Sequence, residues 1–190
     1  MNYVSDEVLP LESKPAQLLL DHMGLFRNGA LPGPILDLAS GSCHNGIFLA
    51  GQGLPVVCAD RSKKSLERAK ALAGEAGVTV TCWGVELEES GVNPLPEDYY
   101  GGIIVFRYLH RPLMDCIKKA LKEGGILLYE TFTHKQPFFG KPNNPNYLLE
   151  PEELRAWFKD WNILYYFEGI KDDPLRAVAQ IVCKKESRKR

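Results

Sequence analysis

The chain reads as a succession of short apolar runs, each followed by a stretch whose apolar residues recur at helical spacing. The first run, Ile35-Leu36-Asp37-Leu38, follows Pro34 and turns through Ala39-Ser40-Gly41-Ser42-Cys43 into a helix beginning near His44 and ending about Gly51. A second run, Pro55–Ala59, precedes a helix that Ser62 can cap, with Leu66, Ala69, Ala73 and Ala76 on one face and Gly77 as its stop. Third and fourth runs, Val78–Val85 and Ile103–Phe106, flank a polar, proline-bearing loop from Glu88 to Tyr100. A helix from about Pro112 to Lys122 and a tight turn at Glu123-Gly124-Gly125 lead to a fifth run, Ile126–Glu130. Strand and helix in alternation, with near-continuous apolar strands, predict a parallel sheet buried on both faces. Two late β runs, Ile163–Phe167 and Ala177–Cys183, have no helix between them and predict a hairpin, so the sheet ends mixed. A short helix from Pro151 to Trp157 precedes that hairpin. Ahead of the first strand, Pro15 sits in the first turn of a helix with Leu18, Leu19, Met23 and Phe26 on its apolar face, ending at Asn28-Gly29.

Three segments stand apart from this rhythm. Residues 1–30 form a helical leader of the kind that lies over a ligand site, although packing alone would explain it equally well. Residues 131–149 have no periodicity, and so long an irregular stretch inside a compact domain marks a lid or binding loop. Residues 184–190 form a basic tail, with one acid among them. At 190 residues the whole is expected to be one domain.

Composition narrows the classes. A formal net charge of −1 gives no global reason for a nucleic-acid or anionic-membrane partner, and no apolar run reaches membrane-spanning length. The five cysteines (43, 58, 82, 116 and 183) are odd in number and contain no C-x-x-C pair. They predict free thiols, a reducing and hence cytoplasmic setting, and neither disulfide scaffold nor metal site. The four histidines are scattered without ligand spacing.

The candidate chemistry lies at the strand ends. Asp37 sits within the first strand, Asp60 closes the second and Glu86 the third, around a Gly/Ser turn. Ligands of open α/β sheets bind outside the carboxyl ends of the strands. A dinucleotide fingerprint would place its three glycines at Ala39, Gly41 and His44, and a histidine at the third position defeats close helix–strand packing. A Gly-Lys-Ser/Thr phosphate loop is also missing. A nucleoside without phosphates remains, and S-adenosylmethionine fits: Asp60 for the ribose hydroxyls, Glu86 for the adenine amino group, Asp37 to order the turn or meet the ammonium. A charged acceptor makes such hydrogen bonds strong.

These residues also carry a resemblance. Leu36-Asp37-Leu38-Ala39-Ser40-Gly41-Ser42, Ala59-Asp60-Arg61, Val85-Glu86-Leu87-Glu88, Tyr108-Leu109-His110-Arg111-Pro112-Leu113 and Leu121-Lys122-Glu123-Gly124-Gly125 resemble class I S-adenosylmethionine-dependent methyltransferases. Within that group the chain resembles the small TehB-like tellurite-resistance family, from about Pro15 to Cys183. Tyr129-Glu130-Thr131-Phe132, Phe139-Gly140-Lys141-Pro142 and Asn144-Pro145-Asn146-Tyr147-Leu148-Leu149 look like a subfamily signature. The resemblance implies a Rossmann-like doubly wound α/β sheet with an antiparallel C-terminal strand. It also implies cofactor binding by Asp37, Ala39, Ser40, Gly41, Cys43, Asp60, Arg61, Glu86, Leu87 and Phe106. Relatives usually carry three glycines in the turn, where Ala39 and Cys43 here replace the first and third; Cys43 is expected to put a side chain beside the methionine-tail site. Glu86 stands where aspartate is commoner.

Acceptor-side chemistry is expected from Arg107, Tyr108, His110, Arg111 and Glu130, with Phe132, His134, Phe138, Phe139 and Tyr147 around it. Arginine forks suit an oxyanion acceptor such as a metalloid or small carboxylate, and His110 suits a general base. The same residues also suit plain packing of the following helix. The function expected is methyl transfer to a small molecule. Alternatives are an RNA or protein methyltransferase helped by the basic tail, a non-catalytic S-adenosylmethionine-binding protein, and a nicotinamide oxidoreductase, which His44 disfavours.

Overall fold

In the computed structural model, residues 14–27, 31–89 and 91–186 are described; the expectations for residues 1–13, Asn28-Gly29 and the last four tail residues lie outside them. Among the described residues seven strands form one sheet in the order β3-β2-β1-β4-β5-β7-β6. They are β1 (Ile35–Leu38), β2 (Val56–Asp60), β3 (Thr81–Gly84), β4 (Tyr100–Phe106), β5 (Leu121–Phe132), β6 (Asn162–Asp172) and β7 (Leu175–Lys184). The first five pair in parallel and β7 runs antiparallel to both β5 and β6. This is the class I methyltransferase fold, reached by the predicted alternation and closing hairpin.

The helices pack on both faces: α1 (Gln17–Asp21), α2 (Gly24–Arg27), α3 (His44–Gly51), α4 (Lys63–Glu75), α5 (Met114–Ala120) and α6 (Glu153–Trp157). Two apolar clusters result. One joins Leu36, Leu38, Ile103 and Val105 to α5 and α6; the other joins Ile35, Ile104 and Leu128 to α1–α4. The expected caps form where the chemistry supplies them: Ser62 Oγ accepts from Ser65 N at 3.2 Å.

Four elements differ from the sequence reading. The leading helix is two short helices, because His22 Nδ1 bonds Leu18 O at 2.9 Å and Gly24 follows; Leu18, Leu19, Met23 and Phe26 are nonetheless buried. Strand β3 starts three residues late, because Val78 N still donates to Ala73 O and finishes the helix end. The helix expected at residues 112–122 opens as a 3-10 turn, Arg111–Leu113, and ends at Ala120. Glu123-Gly124-Gly125 is no tight turn but a bulge within β5: the register with β4 jumps from Tyr100↔Leu121 to Gly102↔Ile126, and Gly124 takes φ 77°.

Candidate functional site

The turn after β1 is built on positive φ: Ala39 at 53°, Gly41 at 53° and Cys43 at 60°. Two of these carry side chains, and left-handed backbone outside glycine costs free energy unless the surroundings impose it. The surroundings here are the two aspartates. Asp60 Oδ2 accepts from Gly41 N at 2.8 Å while its Oδ1 accepts from Ser62 N at 2.8 Å. Asp37 Oδ2 accepts from Gly46 N at 2.9 Å, at the start of α3. Asp37 is buried, and desolvation lifts its carboxyl to about 8, the Gly46 bond opposing and the Asp60 charge adding. Asp37 therefore organises the turn from below, and Asp60 from the side.

Two clefts open above the strand ends. The first, about 540 Å³, is lined by Asp60, Arg61, Val85, Glu86, Leu87 and Glu88 on one side. Its other side is Tyr108, Leu109, Phe132, Lys141, Pro142 and Tyr147. The second, about 450 Å³, is lined by Asp37, Ser40, His44, Asn45, Phe106 and Glu130, with Lys14–Gln17 and Asp173, Pro174 and Arg176 as its outer walls. Ala39 and Arg107 line both, and Arg107 too has a positive φ, 57°. The Ser40 hydroxyl, at the rim of the second cleft, is buried with no hydrogen-bond partner among the described residues. Ala16 N donates to Asn45 Oδ1 at 2.8 Å, so the leader is tied to α3 beside this cleft.

The nominated acceptor-side residues separate. Arg107 and Tyr108 reach the clefts; burial first, then the Glu88 carboxylate, pushes the Tyr108 phenol up. Tyr129 Oη donates to Tyr108 O at 2.9 Å and fixes this stretch. Glu130 ends up buried at the floor of the second cleft, where Gln180 Nε2 donates to Oε2 and Arg176 Nη2 lies 3.6 Å from Oε1. His110 lines a separate hollow with Leu87, Pro112 and Cys116. Arg111 lines neither cleft: its fork holds Glu153 at 2.7 and 2.9 Å and the carbonyls of Asn146 and Leu148 at 3.2 and 2.8 Å. The Glu153 hydrogen bond raises Arg111. In Glu153 burial acts upward, and the Arg111 and Glu150 bonds outweigh it to leave the carboxyl lowered.

The 131–149 segment is tied at its base. Thr133 pairs with Leu149, and Gln136 accepts from Ala177 N at 2.9 Å while donating to Lys141 O at 3.0 Å. It presents Phe132 and Tyr147 to the first cleft, leaves Phe138 84% exposed, and half-buries His134 and Phe139.

The cysteine expectation is corrected. Cys43 and Cys58 are joined as a disulfide, with Cα atoms 6.0 Å apart, and both are fully buried. The Cys43 side chain thus points down to β2 rather than into a cleft. Cys82, Cys116 and Cys183 are free thiols. Together with Asp37 the two bonded sulfurs bring three possible metal-ligand atoms within 4.8 Å of one another, with each sulfur occupied by the other. Spacing could not reveal this pairing, since 15 residues separate the cysteines and only the β1–α3–β2 crossover brings them together. The sequence reading also missed Gly46. A Cβ there would come within 3.0 Å of Cys58 Sγ and of Val56 Cγ1, so this is the glycine that lets α3 close on the sheet. Its signal is a glycine at the third position of the helix. Arg176, Gln180 and Asn45 had no sequence signal, because β7 and the leader reach the site only through the fold.

A family model described as tellurite resistance protein TehB matches residues 28–173. The chain belongs to the TehB family. No curated protein matches it. Among solved structures, TehB from Haemophilus influenzae superposes with a TM-score of 0.67 at 19% identity, over 87% of this chain and 62% of that one. A SAM-dependent methyltransferase from Aquifex aeolicus gives 0.61 at 18% identity, over 90% and 93%. A SAM-dependent methyltransferase from Methanosarcina mazei gives 0.67 at 13%, over 91% and 99%. The fold is the one that these S-adenosylmethionine-dependent methyltransferases share. This TehB family member has its strand-end acids Asp37, Asp60 and Glu86 lining the two clefts.

Proposed function

We propose that the chain transfers the methyl group of S-adenosylmethionine to a small anionic acceptor. The observation that carries the cofactor reading is the meeting of two clefts at Ala39 and Arg107, with Asp60 beside one and the unpartnered Ser40 hydroxyl beside the other. Adenine lies between Val85, Glu86 and Leu87, and the ribose hydroxyls donate to Asp60, whose oxygens keep lone pairs free beyond the two backbone bonds. Arg61 flanks the ribose, and Phe106 and Ser40 meet the methionine tail in the second cleft. Ala39 and Arg107, which line both clefts, would hold the sulfonium between them.

Methyl transfer from a sulfonium is an in-line displacement: the acceptor's lone pair forms the new bond to carbon as the carbon–sulfur pair returns to sulfur. Positioning supplies up to about 7–11 kcal/mol of such a barrier. Arg107 and Lys141, with the apolar walls of Phe132, Pro142 and Tyr147, form the acceptor side, and two cations among aromatic surfaces suit a metalloid oxyanion or small carboxylate. Glu130, held by Gln180 and Arg176, lines the tail-side cleft and not the acceptor side. The leader at Lys14–Gln17 and the 131–149 segment form the lid.

The test is incubation with methyl-labelled cofactor and a panel of tellurite, selenite and small carboxylates, alongside total RNA and protein extract. Label is expected in the small-molecule fraction, and Arg107→Met lowers it about tenfold or more, as loss of a charge-assisted contact does. Label confined to RNA or protein would overturn the acceptor reading.

A further inference from the structure

We infer that the Cys43–Cys58 pair is a redox-controlled modification site that sets cofactor affinity. This rests on the cofactor reading above. The disulfide joins the last residue of the β1–α3 turn to β2, two residues before Asp60. The turn is thus pinned to β2 twice: covalently through Cys43, and through Gly41 N on Asp60 Oδ2. Both pins act on the backbone that carries Ser40 and Ala39 to the clefts.

Reduction removes the covalent pin between the turn and β2 and leaves two thiols in the space that the bonded pair fills. That space has no slack. Both sulfurs are fully buried, a Cβ at Gly46 would already crowd Cys58 Sγ, and Asp37 Oδ2 lies 3.5 Å from Cys43 Sγ. Packed interiors shift rather than compress. Breaking the bond therefore displaces the Cys43 end of the turn and relaxes its left-handed φ. The oxidised state is the one with the turn preorganised, and it binds S-adenosylmethionine more tightly.

The reductant class is a dithiol. One of its thiolates attacks a sulfur of the pair, the Cys43–Cys58 bond breaks, and the released thiolate takes a proton. The reductant's second thiol then closes its own disulfide and frees the other cysteine, so two electrons and two protons pass to the protein. Asp37, in contact with Cys43 Sγ and lining the second cleft, stands where it can protonate that thiolate. Linkage makes the coupling reciprocal: whatever factor oxidation adds to cofactor affinity, the cofactor adds to disulfide stability.

The experiment is calorimetric titration of S-adenosylhomocysteine into oxidised and dithiothreitol-reduced protein, with Cys58→Ser alongside. The redox state of Cys43 and Cys58 is read by mass spectrometry of alkylated peptides in dithiothreitol redox buffers, with and without the nucleoside. Expected is affinity about fivefold or more weaker on reduction and a redox midpoint displaced by the same factor when the nucleoside is present. Cys58→Ser should match the reduced protein and ignore dithiothreitol. Equal affinity in both states, tighter binding on reduction, or an unmoved midpoint would overturn this inference alone. Absence of binding in both states would overturn the cofactor reading and this inference with it.

Discussion

Asp37 is a carboxyl group inside a fully buried four-residue strand, and its ionisation is coupled to the stability of the turn above it. Unfolded, an aspartate titrates near 3.9 or so; here burial lifts it to about 8. Between those values the native state keeps a proton that the unfolded state releases. Stability contributed at this site therefore falls as pH rises from about 4 to about 8, and is level beyond. Asparagine can accept from Gly46 N without ionising. Asp37→Asn is expected to flatten this slope, read as a smaller difference between urea midpoints at pH 5 and pH 8 than the parent shows. Parallel midpoints in the two proteins would contradict the assignment. Cys43 shows where residue-level reading ran out. An odd cysteine count without close pairs reads as free thiols, and only the fold sets two of them 6.0 Å apart at Cα.

Among elements, α6 and the loop before it depend on one side chain of the 3-10 turn that opens α5. Arg111 donates to both carboxylate oxygens of Glu153 and to two loop carbonyls, which a lysine's point charge cannot copy. The pair is partly exposed, at 35% and 18%, which screens it. Arg111→Lys is expected to cost about 1–2 kcal/mol of unfolding free energy and to leave S-adenosylhomocysteine affinity as it is. Chemical denaturation and calorimetry on the same variant check both halves. A loss of affinity with unchanged stability would return Arg111 to the site. The strands were legible because buried parallel strands are continuous apolar runs, as Ile103–Phe106 and Ile126–Glu130 show. The bulge at residues 122–125 was not, since a Gly-Gly pair reads equally as a turn until its neighbour's register is known. Asp60 was legible from its place at a strand end; Arg176 was not, because β7 reaches the site by pairing antiparallel to β5, a pairing that leaves no local mark.

At the scale of the whole molecule, the sheet order puts β1 and β4 side by side at the centre, and the clefts open above their carboxyl ends. That adjacency is what brings Ala39, after β1, and Arg107, after β4, to line both clefts. Among the described residues no helix is long and apolar enough to cross a membrane, and the formal net charge of the whole sequence is −1. That this cleft holds S-adenosylmethionine by Asp60 is checked by calorimetric titration of the nucleosides into parent and Asp60→Ala protein. Saturable one-site binding of S-adenosylmethionine and S-adenosylhomocysteine is expected, weaker by about tenfold to a hundredfold in the variant, with no binding of NAD. Failure to bind either sulfur nucleoside, or a preference for NAD, would contradict it.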